Sequence, residues 1–578
     1  MLSLSRSSFP KSGLHRRGFL SALLAVALFS TSVVPAFGWQ QGATAAATAK
    51  SSTATLTAAE KKAVGRVKLE TIREVTTRLS SKEFEGRGTG QPGADRAANY
   101  LAEHFKKLGL KPGGDNGSYL QPIKFKSAMV MSTSAVKVGD AELKHGADYV
   151  LLPPYTSDQF DVNGSVVFVG YGVVSKELQR DDLAGLDLKG KVVIMLGGQP
   201  PSNVDAASWR RASNPQAMAM NIFGRGAAAL IIGNAGTAAQ PFSTIANYLS
   251  RRRVTLASAP APPFPTPPVL LADNAAMEKI FAGSALTYAQ TLQKAATGEA
   301  VSRDMGKTAA FAIRLKREEA ISSNVIGILE GSDAKLKEEA VVYTAHYDAY
   351  GIDGNGTIFP GAADNALGTA TISGIAEAFV KAYPKPRERP RRSIIFLAVT
   401  GEEYGLLGAE HWVRNPTWPL TKIAADINFD GIGTEIYGPV RRIVGFGAEH
   451  SELGTILDDV SVATGNIVTP DPLPEENAFV RSDHYAFVKR GVPALMLMGG
   501  PAGDDSVWVP RMKKWLVTEY HSPDDVVKPD WDWTGPRTLA QVGLVIGLRV
   551  ANAEAMPAWR STSPFNRARG AVGAPRPN

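Results

Sequence analysis

The chain has no cysteine, and only eight of its 578 residues are histidine. Without thiols it can hold no disulfide, no thiolate-bound metal or iron–sulfur cluster, and no cysteine nucleophile. Any metal must be held by carboxylates and those few imidazoles. Three catalytic signatures are also missing: G-x-x-x-x-G-K-[ST], G-x-S-x-G and H-E-x-x-H. Their absence argues against phosphate-loop chemistry, an α/β-hydrolase serine and a zincin helix. Apolar residues make up 44% and charged residues 20%, a balance that excludes a largely disordered or fibrous chain. The length suggests two to four domains.

Residues 1–38 carry Arg6, Lys11, Arg16 and Arg17 and no acid. An apolar run, Phe19 to Val34, and a small-residue exit, Pro35-Ala36-Phe37-Gly38, follow. That is the pattern of a secretory signal peptide. The alternative is a membrane anchor, but the run is interrupted by Ser21, Ser30, Thr31 and Ser32. It is also shorter than the about 20 residues a span needs. Arg16-Arg17-Gly18-Phe19-Leu20 resembles the twin-arginine signal that exports folded proteins. The expectation is an exported protein, periplasmic or extracellular, with no membrane span after cleavage. Residues 39–65, rich in Ala, Thr and Ser, read as a flexible linker. Residues 557–578, rich in Pro, Gly and Arg, read as a disordered tail. The net charge of +8 suggests nucleic acid at first sight. However, the signal and the tail each hold four basic residues and no acid, so residues 39–556 are balanced. The expected partner is a peptide or small amide, and no nucleic acid.

Between these ends the pattern is α/β. Helical spacing occurs at 67–80, 94–108, 367–382, 403–413 and 538–552. Apolar runs at Val341–Ala345, Ser393–Val399 and Ala494–Met498 read as buried strands. Their alternation predicts a mostly parallel sheet with helices on both faces. Residues 131–304 interrupt this pattern with short strand candidates, Ser165–Tyr171, Lys191–Leu196 and Ala227–Ile232, and a proline-rich end. They read as a second domain inserted into the first. Gly88-Thr89-Gly90-Gln91-Pro92-Gly93 fits G-x-G-x-x-G, but a polar helical stretch precedes it. It reads as a glycine turn leading into a helix rather than a dinucleotide site.

One constellation stands apart. The strand Val341–Ala345 ends in His346-Tyr347-Asp348, and strand ends are where ligands collect in such sheets. His346 and Asp348, two apart on extended chain, point the same way. Such an Asp can accept from the imidazole and fix its tautomer. Asp364 follows in the small-residue loop Gly361–Gly368. Glu402 and Glu403 follow the strand Ser393–Val399. Asp430 follows another strand, and His521 sits in a late loop. A lone Asp at a strand end is usually a helix cap, a lone Glu pair a solvated face, and a lone His structural. Stability gains nothing from massing such groups at the ends of one sheet, so their joint occurrence points to a site. Two divalent cations about 3.5–4 Å apart need a bridging carboxylate and ligands on each side. His, Asp, Glu, Asp and His form a mixed set suited to zinc. Of the adjacent Glu402 and Glu403, one can face a metal and the other the reacting water.

The order His346-x-Asp348, Gly-Ala-x-Asp364-Asn365, Glu402-Glu403, Asp430 and His521 resembles the M28 metallo-aminopeptidases, the co-catalytic zinc peptidases. The resemblance extends to Glu85–Gly90 and to Asn477–His484. It covers about residues 66–130 and 305–556. Segment 131–304, with Asp182–Val193, is similar to a protease-associated (PA) domain. The resemblance implies a three-layer αβα peptidase domain, with a mixed, largely parallel sheet, carrying an inserted β-rich PA-like domain. It implies two zinc ions, one held by His346 and Asp430, the other by Glu403 and His521, with Asp364 bridging. Glu402 would be the general base and Asp348 would orient His346. Tyr520 would help stabilise the oxyanion, and His484 would build the pocket wall rather than bind metal. The implied activity is removal of N-terminal residues from peptides. A carboxypeptidase or N-acyl-amino-acid hydrolase on the same scaffold, a glutaminyl cyclase, and a non-catalytic binding protein are the alternatives.

Overall fold

The computed structural model describes residues 54–571, except 199, 234–240, 261–264, 355, 432–438 and 501–504. The expected signal peptide, 1–38, lies outside the described residues. The described chain divides into two compact units. One comprises 128–253 and 259–318, and the other comprises the described residues up to 127, 254–258 and 319 onward.

The larger unit is built on four parallel strands. Ser393–Val399 pairs with Ala340–His346, that strand with Ile423–Phe429, and Ile423–Phe429 with Ala494–Gly499. Antiparallel pairs extend the sheet on both sides, through the end of Arg303–Leu329 and through Arg442–Phe446. Every residue of Ala340–His346, Ser393–Val399 and Ile423–Phe429 is buried. That is what parallel strands covered on both faces require.

Alternation along these strands supplies two cores. Val341, Tyr343 and Ala345 face the helices Leu69–Leu79, Leu367–Ala382 and Thr534–Asn552. Ala340 and Val342 face Ala409, Trp412 and Phe487, from Leu407–Arg414 and His484–Val488. Period-two side chains thus give a three-layer αβα unit. The expected helix over 403–413 begins later, at Leu407, because Glu402–Tyr404 form a separate turn between Gly401 and Gly405, both with positive φ.

The smaller unit holds a parallel run, Gln159–Phe168 beside Val192–Leu196 beside Ala229–Gly233 beside Val269–Ala272. Among its described residues are five helices between Ala206 and Ala296. Their apolar faces and the strands enclose a separate core around Phe168, Ile194, Ile231 and Phe281.

Two expected flexible ends are structured where they are described. Within the expected linker, Ala58–Val64 is a helix started by a capping box of Thr57 and Glu60. It is anchored by Glu60 to Arg549, at 2.8 Å, and by Tyr383 to the Ala59 carbonyl. These partners lie hundreds of residues away, so composition alone misread it. The expected tail is laid on the fold through residue 571. The Trp559 indole N–H donates to the Gly491 carbonyl at 2.9 Å, and the Phe565 ring packs at a tilt against Phe479. Arg569 donates to the carbonyls of Ile423, Ala424 and Pro557. Two aromatic anchors and a forked donor outweigh the Pro/Gly-rich composition.

Truncation after Met556 is therefore expected to lower the thermal midpoint by several degrees, about 2–4 °C for each kcal/mol lost. An unchanged calorimetric midpoint would show that the segment is not part of the fold.

Candidate metal centre

Parallel strands deliver their C-terminal ends to one edge, and the candidate side chains gather there. His346 is the last residue of its strand, in register with Val399. Glu402 and Glu403 lie three and four residues beyond Val399, and Asp430 directly follows Phe429. Asp364 comes from the buried loop Ala362–Ala366, whose Asp364–Asn365 peptide is cis. Gly361 opens that loop with φ +56°. A Cβ there would lie 2.4 Å from the Asp364 carbonyl oxygen, so no other residue fits. His521 sits at φ +57°, a conformation uncommon outside glycine and concentrated at functional sites.

The distances define two facing groups. His346 Nε2 lies 3.1 Å from Asp364 Oδ1, 3.2 Å from Asp430 Oδ1 and 3.7 Å from Glu402 Oε2. His521 Nε2 lies 3.0 Å from Asp364 Oδ2 and 3.1 Å from Glu403 Oε2. Asp364 therefore turns one oxygen to each imidazole. Two donors about 2.0–2.1 Å from one tetrahedral zinc sit about 3.3 Å apart. The separations from Asp364, Asp430 and Glu403 fit that spacing. Glu402 is set further back, although its oxygen can also be grouped with His346 and Asp430 around one point.

The electrostatics are those of an acidic cavity. Burial raises the Glu402 carboxyl well above its usual range, and Asp430 and Asp483 add to the effect. Burial disfavours a charged imidazole at His521, but Glu403 and Asp364 outweigh it and push the group up to about 9. Asp364 is held far below its usual value by the two imidazoles, against the effect of burial. A cluster that recruits protons this strongly is one that a divalent cation can fill.

Asp348 was expected to orient His346 through its carboxylate. The nearer contact of His346 Nδ1 is instead the Asp348 backbone carbonyl, at 3.1 Å, with the carboxylate at 3.7 Å. The Asp348 carboxylate accepts from the Thr89 hydroxyl, 3.0 Å, and from the Glu402 N–H, 3.2 Å. It therefore positions the Glu402 turn, and the glycine-rich 88–93 segment joins the site through Thr89. Tyr520 stacks on His521 with ring centroids 3.6 Å apart, and its hydroxyl lies 3.5 Å from Arg481. His484 is fully buried against Phe479, and burial pushes it down to about 3.

Four contributors escaped sequence reasoning. Arg87, fully buried, donates to the carbonyls of Leu79, Tyr347, Pro360 and Gly361 at 2.5–2.7 Å. Asp525 accepts from the N–H groups of Ala363 and Asp364, at 2.8 and 3.0 Å. Tyr350 meets His521 Nδ1 at 3.2 Å. Arg481 reaches Tyr520 from a different segment. Each acts across a long sequence separation, and no local spacing marks it. Arg87 and Arg481 had a signal, in lying within the Glu85–Gly90 and Asn477–His484 motifs.

Residues 324–546 match the model of peptidase family M28. Aminopeptidase YwaD of Bacillus subtilis is 32% identical over 221 residues, 36% of this chain and 40% of that protein. A vacuolar membrane protease of Candida dubliniensis is 34% identical over 112 residues, 19% of this chain and 10% of that protein. The chain thus spans less than half the length of these curated relatives. Among solved structures, an aminopeptidase from Aneurinibacillus sp. strain AM-1 superposes with a TM-score of 0.55 at 18% identity. That match covers 90% of this chain and 100% of the other. BSAP, a zinc aminopeptidase from Bacillus subtilis, gives a TM-score of 0.51 at 18% identity, covering 83% and 94%. At these identities the two structures share the fold.

Asp525→Asn keeps the shape but replaces one acceptor with a donor facing a backbone N–H. Metal affinity is expected to fall by about 10–100-fold, read by titration with a chelating indicator. Parent-like affinity would show that the Asp525 contacts do not position Asp364.

Proposed function

We propose that this chain, whose residues 324–546 match the model of peptidase family M28, is a zinc-dependent aminopeptidase of that family. The observation that carries this reading is the carboxylate of Asp364 shared between His346 and His521. The donor set suits zinc, with imidazole nitrogen and carboxylate oxygen on each side. His346 and Asp430 would hold one ion and His521 and Glu403 the other, with Asp364 between them. Bound zinc lowers the pKa of water and polarises a carbonyl.

The chain's own groups supply the proton transfers. Glu402 takes a proton from the attacking water as its oxygen adds to the scissile carbonyl carbon. It then gives that proton to the leaving amine as the C–N bond breaks. The Tyr520 hydroxyl, kept protonated by burial, can donate to the tetrahedral oxyanion, with Arg481 beside it. Asp348 holds the Glu402 backbone N–H, which fixes the turn from which the base projects. Segment 1–38 is read as a twin-arginine export signal, and the unit spanning 128–253 and 259–318 as a PA-like module.

Glu402→Gln is expected to retain the parent zinc content while turnover of aminoacyl amides falls by about two to four orders of magnitude. A parent-like rate would overturn the role of Glu402. Elemental analysis is expected to find two zinc ions per chain, and one would remove the bridging role of Asp364. Loading the metal-free protein at pH 7 is expected to release protons, because His521 is protonated below about 9 until metal displaces its proton. Affinity therefore weakens as pH falls, and calorimetry in buffers of different ionisation enthalpy measures the release. For export, a reporter fused to residues 1–38 should leave the cytoplasm only with Arg16 and Arg17 intact.

A further inference from the structure

Glu402 and Glu403 sit side by side on the loop from Thr400 to Gly408. Gly401, Gly405 and Leu406 in this loop have positive φ, at +75°, +104° and +60°. Leu406 is not a glycine, and such a backbone persists only where its surroundings over-determine it. Within the loop the N–H groups of Gly405 and Leu406 donate to the Glu402 carbonyl at 2.8 and 2.9 Å, and Leu407 donates to the Gly401 carbonyl at 3.0 Å. These bonds shape the turn, but they do not tie it to the sheet.

Asn324 does. It lies in Arg303–Leu329, one residue before Val325, which pairs with Ala398 of the strand leading into the loop. Its side chain is fully buried. Oδ1 accepts from the Thr400 N–H at 3.1 Å, and Nδ2 donates to the Gly408 carbonyl at 3.0 Å. One amide thus joins the first and last residues of the loop. These ends approach so closely that a Cβ on Gly408 would lie 2.1 Å from the Thr400 carbonyl oxygen and 2.6 Å from Asn324 Oδ1. Gln121, also buried, accepts from Nδ2 at 3.0 Å and donates to the Asn415 carbonyl at 2.8 Å, which fixes the way the Asn324 amide faces.

The clamp needs an acceptor and a donor from one short planar group. Aspartate would offer acceptors only and add another buried carboxylate to an acidic centre. Leucine would leave the Thr400 N–H and the Gly408 carbonyl without partners away from water. Asp348 holds the loop at a second point, the Glu402 N–H. Resting on the aminopeptidase reading, we infer that Asn324 is a positioning residue for the reaction: it clamps the two ends of the Thr400–Gly408 loop and so sets where the Glu402 carboxylate projects. It acts through the backbone of the loop.

The test uses the full zinc-loaded protein, with hydrogen–deuterium exchange and hydrolysis of aminoacyl amides as readouts. Asn324→Asp keeps an acceptor for Thr400 and loses both donated bonds. Exchange across 400–408 should quicken by about tenfold while the 340–346 strand exchanges at the parent rate. The same variant should lose about 10–100-fold in kcat with KM changed by less than about threefold, because the base is displaced rather than the binding surface. Gln121→Met removes only the support behind the amide and should quicken exchange at 400–408 by about threefold, which tests the clamp even where Asn324→Asp does not fold. Parent-like exchange at 400–408 in the folded variants, or a parent-like kcat in Asn324→Asp, overturns the clamp and leaves the peptidase reading intact. Strand 340–346 loosening as much as the loop overturns it too, since Asn324 would then serve the fold as a whole. Faster exchange confined to the loop, in a protein whose parent hydrolyses no amide, supports the clamp and overturns the peptidase reading.

Discussion

Mutual repulsion among buried carboxylates is the constraint on which the rest of this protein depends. Asp348, Asp364, Glu402, Glu403, Asp430 and Asp525 converge at one edge of a sheet, most of them screened from water. Two like charges 4 Å apart at an effective dielectric of 20 repel by about 4 kcal/mol. A few such pairs rival the about 5–15 kcal/mol by which a domain is stable. The fold answers with positive charge and donors aimed at the cluster. Two imidazoles interleave with the acids, backbone N–H groups cap Asp525 and Asp348, and buried Arg87 sends its field into the site while its own hydrogen bonds go to carbonyls. Burial still pushes Asp348 up to about 6 and Asp525 up to about 7.

That tension explains the scaffold around it. A parallel sheet ends several strands at one edge without hairpins that would cross it. Its strands are buried on both faces, so the edge is stiff. Loops with unusual backbone, Gly361 before Asp364 and Gly401 before Glu402, then turn carboxylates back over that edge. Asn365 ties the first loop to the neighbouring strand, donating to the Phe429 carbonyl at 2.9 Å. The same edge continues into an apolar cavity between the 442–446 and 494–499 strands and the 505–518 helix. Thus a polar centre and an apolar pocket share the wall at Asp430.

The sequence and the structure agree where signals are local. The strands expected at 341–345, 393–399 and 494–498 and the helices expected at 367–382 and 538–552 lie within strands and helices of the structure. The acidic and imidazole groups were legible because each ends such an element. The Asp348 role and the two ends of the chain were less legible. Asp348 is two residues from His346, and spacing suggested a carboxylate-to-imidazole contact. The fold instead spends that carboxylate on Thr89 and the Glu402 turn. The Ala58–Val64 helix and the 557–571 segment have compositions typical of solvated chain, and they are structured by partners hundreds of residues away or on other elements.

By itself the sequence determined the chemistry available: no thiols, few imidazoles, and carboxylates placed after predicted strands. It determined this because residue type and short-range periodicity are properties of the chain alone. The tertiary structure decided which groups meet. It turned one oxygen of Asp364 to each histidine, set Glu402 further from His346 than Asp364 and Asp430, and brought Arg87, Asp525, Tyr350 and Arg481 into place. It also shaped the pocket from two strands and a helix. Contacts between side chains on separate elements depend on how layers pack, and no local pattern encodes them.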